Sequence, residues 1–156
     1  MTTSDPLTIE KMDDEGVRHF SVFLDNKVGA LLEIVKLLNE HSVIVLALSV
    51  QDSSESSICR FIVSDPAQVE ELFEINDIPH SISSVIVTEL KEGAGDLPRV
   101  LASCLKAEVN VFFSYPLLIR PRGRAALCLH VDDVECASSV LRGDGFPTLN
   151  QSDLSR

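Results

Sequence analysis

Residues 17–50, VRHFSVFLDNKVGALLEIVKLLNEHSVIVLALSV, hold a strand, a turn, a helix and a second strand, and the chain then repeats them. Phe20, Val22 and Leu24 alternate with His19, Ser21 and Asp25, the period of a half-buried strand, with Phe23 as an aromatic exception on the polar side. Gly29 precedes an apolar stripe at Leu31, Ile34, Val35 and Leu38, spaced for one helix face, so the spacing predicts a helix over 30–40. An offset of 66 residues lays Gly29 on Gly95, Leu31 on Leu97, Ile34 on Val100, Val35 on Leu101 and Leu38 on Cys104. Further on, an offset of 68 lays Val63 on Val131, Asp65 on Asp133, Phe73 on Leu141 and Ile78-Pro79 on Phe146-Pro147. Coincident glycines, an aspartate and an apolar-Pro pair go beyond chance overlap of apolar residues, and the chain reads as a tandem repeat.

Working outward, Val43 to Val50 is apolar on both faces except at Ser49, which demands cover on both sides. A Ser-rich turn over 52–57 leads to a returning strand, Ile58 to Ser64, with Cys59, Phe61 and Val63 on one face and Arg60 and Ile62 on the other. Asp65-Pro66-Ala67-Gln68 is a helix start, with Asp as cap, Pro in the first turn and Gln three residues after the cap. Ile78-Pro79 ends that helix, and His80 to Ile82 is short strand material. The unit is βαββαβ. After Ser83-Ser84 the second unit runs through Val85 to Leu90, a helix over Leu97 to Lys106, a long strand Val109 to Arg120, a turn at 121–124, Ala125 to Val131, a helix from Val134 to Leu141 and a strand at Phe146 to Leu149. The expected domains are an N-terminal tail, 1–16, with at most one short edge strand, then units 17–83 and 84–156. The expected fold class is α+β: two tandem ferredoxin-like βαββαβ units, each an antiparallel sheet of order 4-1-3-2 with helices on one face. That order puts the second strands at the edges, where long apolar strands invite pairing, so these edges are expected to meet as a continuous sheet, within or between chains.

Composition narrows the function. The chain of 156 residues has a net charge of −11, which repels a phosphate backbone and argues against nucleic acid or an anionic membrane as partner. No apolar run reaches membrane-spanning length, and the first 16 residues have no signal-like apolar core, so a soluble cytoplasmic protein is expected. Cys59, Cys104, Cys128 and Cys136 form no CxxC and no zinc spacing, and read as reduced thiols. Cys128, opposite in parity to Leu127 and Leu129, is expected on the open side of its sheet. His19, His41, His80 and His130 show no metal-ligand spacing and read as surface or lightly buried residues, and Arg120, Arg122 and Arg124 as a solvated charge run. Neither a metal nor another cofactor is expected, and no nucleophile–base signature points to an enzyme. The turn over 25–31 has Lys27 but no arginine to hold a phosphate and no cysteine to carry a metal, and the open sheet faces lack RNA-stacking aromatics on their middle strands.

A βαββαβ unit with an Asp-x-x-x-Gly turn into a helix and a second strand opening in Val-Ile-Val or Val-Asn-Val resembles the ACT domain. The tandem FSVFLDNKVGALLEIVKLL, RFIVSDP and SSVIVTEL is similar to stand-alone double-ACT proteins. The resemblance covers about Val17 to Leu149. It implies allosteric regulation through a free amino acid bound where the strand–helix turn of one unit meets the second strand of its neighbour. Carried onto this sequence, the turn is Asp25, Asn26, Lys27, Val28, Gly29, Ala30 and Leu31, and the strand position is Asn110. Val28 stands where the family more often has proline, Ile44 where it often has Asn, and Glu92-Gly93-Ala94-Gly95-Asp96 brackets the second turn with acids. Two readings stay open. One is an amino-acid-binding homodimer without catalytic activity. The other is an interaction module or regulatory subunit for a metabolic enzyme, its ligand site vestigial, with Asp25-Asn26 a plain turn and Asn110 a residue that satisfies backbone groups.

Overall fold

The structure, a computed structural model, describes residues 16–25, 29–52 and 55–155. The tail over 1–15, where a short edge strand is expected, and Asn26, Lys27 and Val28 of the turn lie outside the described residues. The first unit comprises β1 (Val17–Asp25), α1 (Ala30–Glu40), β2 (Val45–Asp52), β3 (Ser56–Val63) and α2 (Pro66–Ile75). A strand of 11 residues, β4 (His80–Leu90), leads into a 3-10 turn (Gly93–Asp96), α3 (Leu97–Lys106), β5 (Val111–Pro116), β6 (Ala125–Val131), α4 (Val134–Gly143), β7 (Thr148–Leu149) and α5 (Gln151–Leu154). No described helix is long and apolar enough to cross a membrane.

The caps behave as their residue types require. The Asp65 carboxylate accepts the Gln68 N–H at 3.2 Å, and its repeat partner Asp133 accepts that of Cys136 at 2.9 Å. Each satisfies a donor that the helix start leaves orphaned.

All seven strands join one antiparallel sheet in the order β2-β3-β1-β4-β6-β5, with β7 also on β4. Each unit keeps the order 4-1-3-2, because β4 serves both. Its first half pairs with β1 (Phe20 with Ile82, Val17 with Val85) and its second half with β6 (Ile86 with Leu129, Leu90 with Ala125). The two strands expected on either side of Ser83-Ser84, His80 to Ile82 and Val85 to Leu90, are therefore one continuous strand. The strand expected over Val109 to Arg120 is shorter, since the backbone leaves the ladder after Pro116, and Pro121 then enters a 3-10 turn.

Three apolar cores result. α1 and α2 cover one face of the first unit's strands with Ile34, Leu38, Val69 and Phe73 on Phe20, Val22, Phe61 and Val63. α3 and α4 cover the second with Val100, Cys104, Ala137 and Leu141 on Ile86, Leu127 and Leu129. The sheet curls so that the two helix-free faces meet, burying Val17, Leu46, Ala47, Ile62 and Val85 against Val87, Tyr115, Ala126 and Cys128. At roughly 1.5–3 kcal/mol per buried aliphatic side chain, this third core holds the units together strongly. The apolar edges are covered mainly in this way, face to face within one chain. Among the described residues β2 meets the segment that follows β5 through one backbone bond, Leu118 N–H to the Leu46 carbonyl at 2.8 Å, and the two edges do not join as an extended continuous sheet.

The second faces of these strands hold two further corrections. Cys128 does face away from Leu127 and Leu129, but the opposing sheet leaves it 0% exposed. His19 is 1% exposed, for the same reason. Arg124 and Arg122 are not merely solvated: Arg124 pairs with buried Glu89 at 3.5 Å and Arg122 with Asp153 at 2.9 Å. The four-residue α5, which sequence periodicity does not reveal, fastens the end of the second unit to the first. Leu154 enters the shared core, and the Gln151 amide donates to the Val63 carbonyl at 2.9 Å.

Candidate functional site

The first strand–helix turn leaves β1 at Asp25, which is exposed and lies opposite Ser56. It enters α1 through Gly29 at φ 92°, a left-handed conformation that glycine adopts without steric cost. Gly29 brings no side-chain acceptor to the helix start, and the first intrahelical bond is Glu33 N–H to the Gly29 carbonyl. The N–H groups of Ala30 and Leu31 thus belong to a helix end that its own cap residue does not satisfy. A Cβ placed on Gly29 meets nothing within 4 Å, so the glycine is dictated by its dihedral angle and not by close packing.

The matching turn of the second unit is closed by its own chain. Gly93–Asp96 coil into a 3-10 turn, and Asp96 is 3% exposed. Its carboxylate accepts the Glu92 N–H at 3.0 Å and the Arg99 guanidinium at 3.2 Å. Arg99 itself stacks 4.9 Å from the Phe146 ring centre. Glu92 and Asp96 both read from the sequence as acids that would repel an anionic ligand; in the folded chain Asp96 turns inward and takes up a backbone N–H.

Asn110 sits just ahead of β5. Its backbone N–H and side-chain amide donate to the two Asp132 oxygens at 3.1 and 2.9 Å, and its carbonyl accepts the Asp132 N–H at 3.2 Å. The first unit does the same with different chemistry, Ile44 N–H donating to the Ser64 hydroxyl at 2.9 Å and Ser64 N–H to the Ile44 carbonyl at 2.9 Å. Directly afterwards both edge strands carry a bulge, between Val45 and Ala47 and between Val111 and Phe113. Bulges of this kind twist an edge away from further pairing. Position 110 is therefore tied to its own unit, and its side-chain amide hydrogen bonds run to Asp132.

Two other features lie away from the turns. A groove of about 540 Å³ lies beside the β2 edge, lined by Val35, Asn39, Val43 and Ile44 among others, and Ile44 is 60% exposed. On α3, Leu97, Leu101 and Leu105 recur every four residues and all remain exposed. The sequence signal for this stripe is present, since a helix whose apolar residues exceed what one buried face needs must show some to solvent. Among the described residues, no group of three or more His, Cys, Asp or Glu side chains gathers to hold a metal ion.

Residues 15–156 match the family described as the ACT domain pair. The chain belongs to that family. Protein BT0572 from Bacteroides thetaiotaomicron is similar in structure, with a TM-score of 0.81 at 24% identity over 90% of this chain and 96% of that one. The regulatory subunit of aspartate kinase from Thermus thermophilus, in its ligand-free form, superposes with a TM-score of 0.60 at 10% identity, covering 85% of this chain and 95% of that one. Aspartokinase alpha and beta subunits give 0.58 at 14% identity, covering 84% and 93%. No curated protein matches in sequence. At these identities the likeness is one of fold, and the sequence expectation of two ferredoxin-like ACT units holds.

Proposed function

We propose that this ACT pair is a non-catalytic regulatory protein that binds a free amino acid at the first unit's turn, Asp25 to Leu31. The observation that carries this reading is the contrast in helix starts: α2 and α4 are capped by Asp65 and Asp133, whereas α1 begins at a glycine. A carboxylate there accepts N–H bonds from Ala30 and Leu31 and gains from the positive end of the helix dipole. Asp25, with Asn26 from the sequence, offers oxygens to the ammonium group. Asn110, held to Asp132, supports the site only from a neighbouring chain or after exchanging that partner.

The neighbour in this proposal is a second copy, which covers the Ile44 groove and the α3 leucines and leaves the units 17–83 and 84–156 as the repeating parts. Sedimentation equilibrium reads this directly, and a monomer at micromolar concentration refutes it. The unpaired cysteines accord with a reducing cytoplasm. The competing reading, an enzyme-regulating module with a vestigial site, draws on the same fold in aspartate kinase regulatory subunits and on the engagement of Asn110 by Asp132.

A thermal-shift screen of the standard amino acids separates the two. A ligand at about a hundred times its Kd stabilises by roughly 2.7 kcal/mol, several degrees for a protein of this size. Gly29→Asp is expected to abolish the shift, because it adds a carboxylate where space is free and so changes charge without a clash. Gly95→Asp is expected to retain it. Absence of a shift with every amino acid, or loss of binding in the Gly95 variant alone, overturns the site.

A further inference from the structure

The seam between the helix-free sheet faces is apolar along most of its length, but one end gathers basic and aromatic groups. His19 of β1 lies 5.7 Å, ring centre to ring centre, from His130 of β6 and 5.5 Å from Phe113 of β5. Phe113 stacks on His130 at 4.6 Å, and the Arg60 guanidinium of β3 lies over the Phe113 ring, 4.3 Å from its centre. The Nδ1 atoms of both histidines are buried and have no hydrogen-bond partner among the described residues. Every strand that packs here can be checked for a counter-charge. β4 offers Ser83 opposite His19; β2 offers Gln51, which accepts from Arg60 at 3.1 Å; β5 and β6 offer the Tyr115 hydroxyl and the Cys128 thiol. The acids on or beside these strands have other partners, Asp132 with Asn110, Glu89 with Arg124 and Asp52 with the Ser57 hydroxyl, or lie exposed at the far end of β1, as Asp25 does. Among the described residues the seam thus holds one fixed positive charge and two ionisable rings, with no carboxylate to balance a second charge.

We propose that this cluster is a proton-operated latch: neutral His19 and His130 let the two sheet faces close, and their protonation beside Arg60 raises the small fraction of molecules in which the faces part while each unit keeps its own helix-covered core. A charge taken out of water without a partner is costly, and like charges in a region of low dielectric repel strongly. The units stay tethered through β4, so opening is a hinge motion about that strand and not a dissociation. Burial first, then the charges of His130 and Arg60, lower the His19 pKa from 6.5 to about 4. Burial and Arg60 also lower that of His130. For a base whose folded pKa is depressed, the open form binds more protons between the two values. The closed seam therefore has its full stability above about pH 6.5 and loses it as the pH falls toward about 4.

Cys128 reports on the seam, because it is fully buried there, while Cys59 and Cys104 are buried in the two helix-covered cores. Labelling of the whole protein with dithiodipyridine, which reacts with thiols in acid, followed by peptide mapping gives a rate for each cysteine. From about pH 7.5 to about pH 5, labelling of Cys128 is expected to rise about 30-fold relative to Cys59 and Cys104, from tenfold per pH unit for one histidine over the window. His19→Gln with His130→Gln is expected to remove that rise, and His80→Gln, on the helix side of the first unit, to leave it. Should the double variant expose Cys128 at every pH, the single change His130→Gln is expected to shrink the rise. A Cys128 rate that stays level with the other two at about pH 5, a joint rise of all three, or an undiminished response in the histidine variants overturns the latch.

Discussion

The two strand-to-helix turns occupy matching places in the repeat, yet their helix starts differ, and the second turn is filled by a carboxylate of its own chain. In the first unit the helix begins at an exposed glycine whose added Cβ would touch nothing. In the second, Asp96 folds back, buried, and takes up both a backbone N–H and an arginine. Duplicated units can diverge through one well-placed carboxylate, which here takes up a backbone N–H of its own turn. The difference also separates two kinds of glycine that align in sequence. Gly29 needs its left-handed backbone, whereas Gly95 has ordinary dihedrals within a 3-10 turn.

Substitutions at three positions break or sharpen this contrast. Asp96→Ala has the largest expected effect, about 2 kcal/mol of lost stability in urea unfolding, because a charge-assisted bond goes and the Glu92 N–H is left without its partner. Asp96→Asn, which keeps an acceptor for that N–H, should recover part of the loss, and equal losses for the two would show that the bond to Glu92 contributes nothing. Gly29→Ala follows, at about 1 kcal/mol, since it forces a side chain into the left-handed region without any clash to add. The aligned Gly95→Ala is smallest, within about 0.5 kcal/mol of zero, its Cβ meeting only the Glu92 Cβ at 3.9 Å. Similar losses at both glycines would erase the distinction between the turns.

What could be read from the chain follows from the range of the forces involved. Local signals were legible: the Asp65-Pro66-Gln68 cap, the 30–40 helix and the face alternation of Cys59, Phe61 and Val63 all appear as expected. Alternation also set Cys128, His130, Arg60 and Ile62 on the helix-free sides. It carries no information about what covers a side, which depends on how a sheet curls between residues some 70 positions apart, such as Leu46 and Leu118. The full burial of His19 and Cys128 is therefore not legible in the alternation. The clue at hand was Val85 to Leu90, apolar at four of six positions and buried at all six, as a strand covered on both faces must be. At the site, the acids around Gly95 were visible, but the inward turn of Asp96 and the hold of Asp132 on Asn110 are hydrogen-bond choices that composition cannot rank.

The strand shared by both units has a consequence for the order in which the protein forms. When the ribosome has extruded the chain through Val85, every strand of the first unit's sheet is available, and its helix-covered core can close. Ile86 to Leu90 then extend from a strand already fixed in direction and tilt, offering a ready edge on which β6 and β7 can add. The second unit inherits a nucleus and is spared the loop-closure entropy of setting its first strand. The debt runs the other way on unfolding, since fraying β4 from either side withdraws a neighbour from both sheets at once. Such a chain should melt as one cooperative body despite being built from two copies.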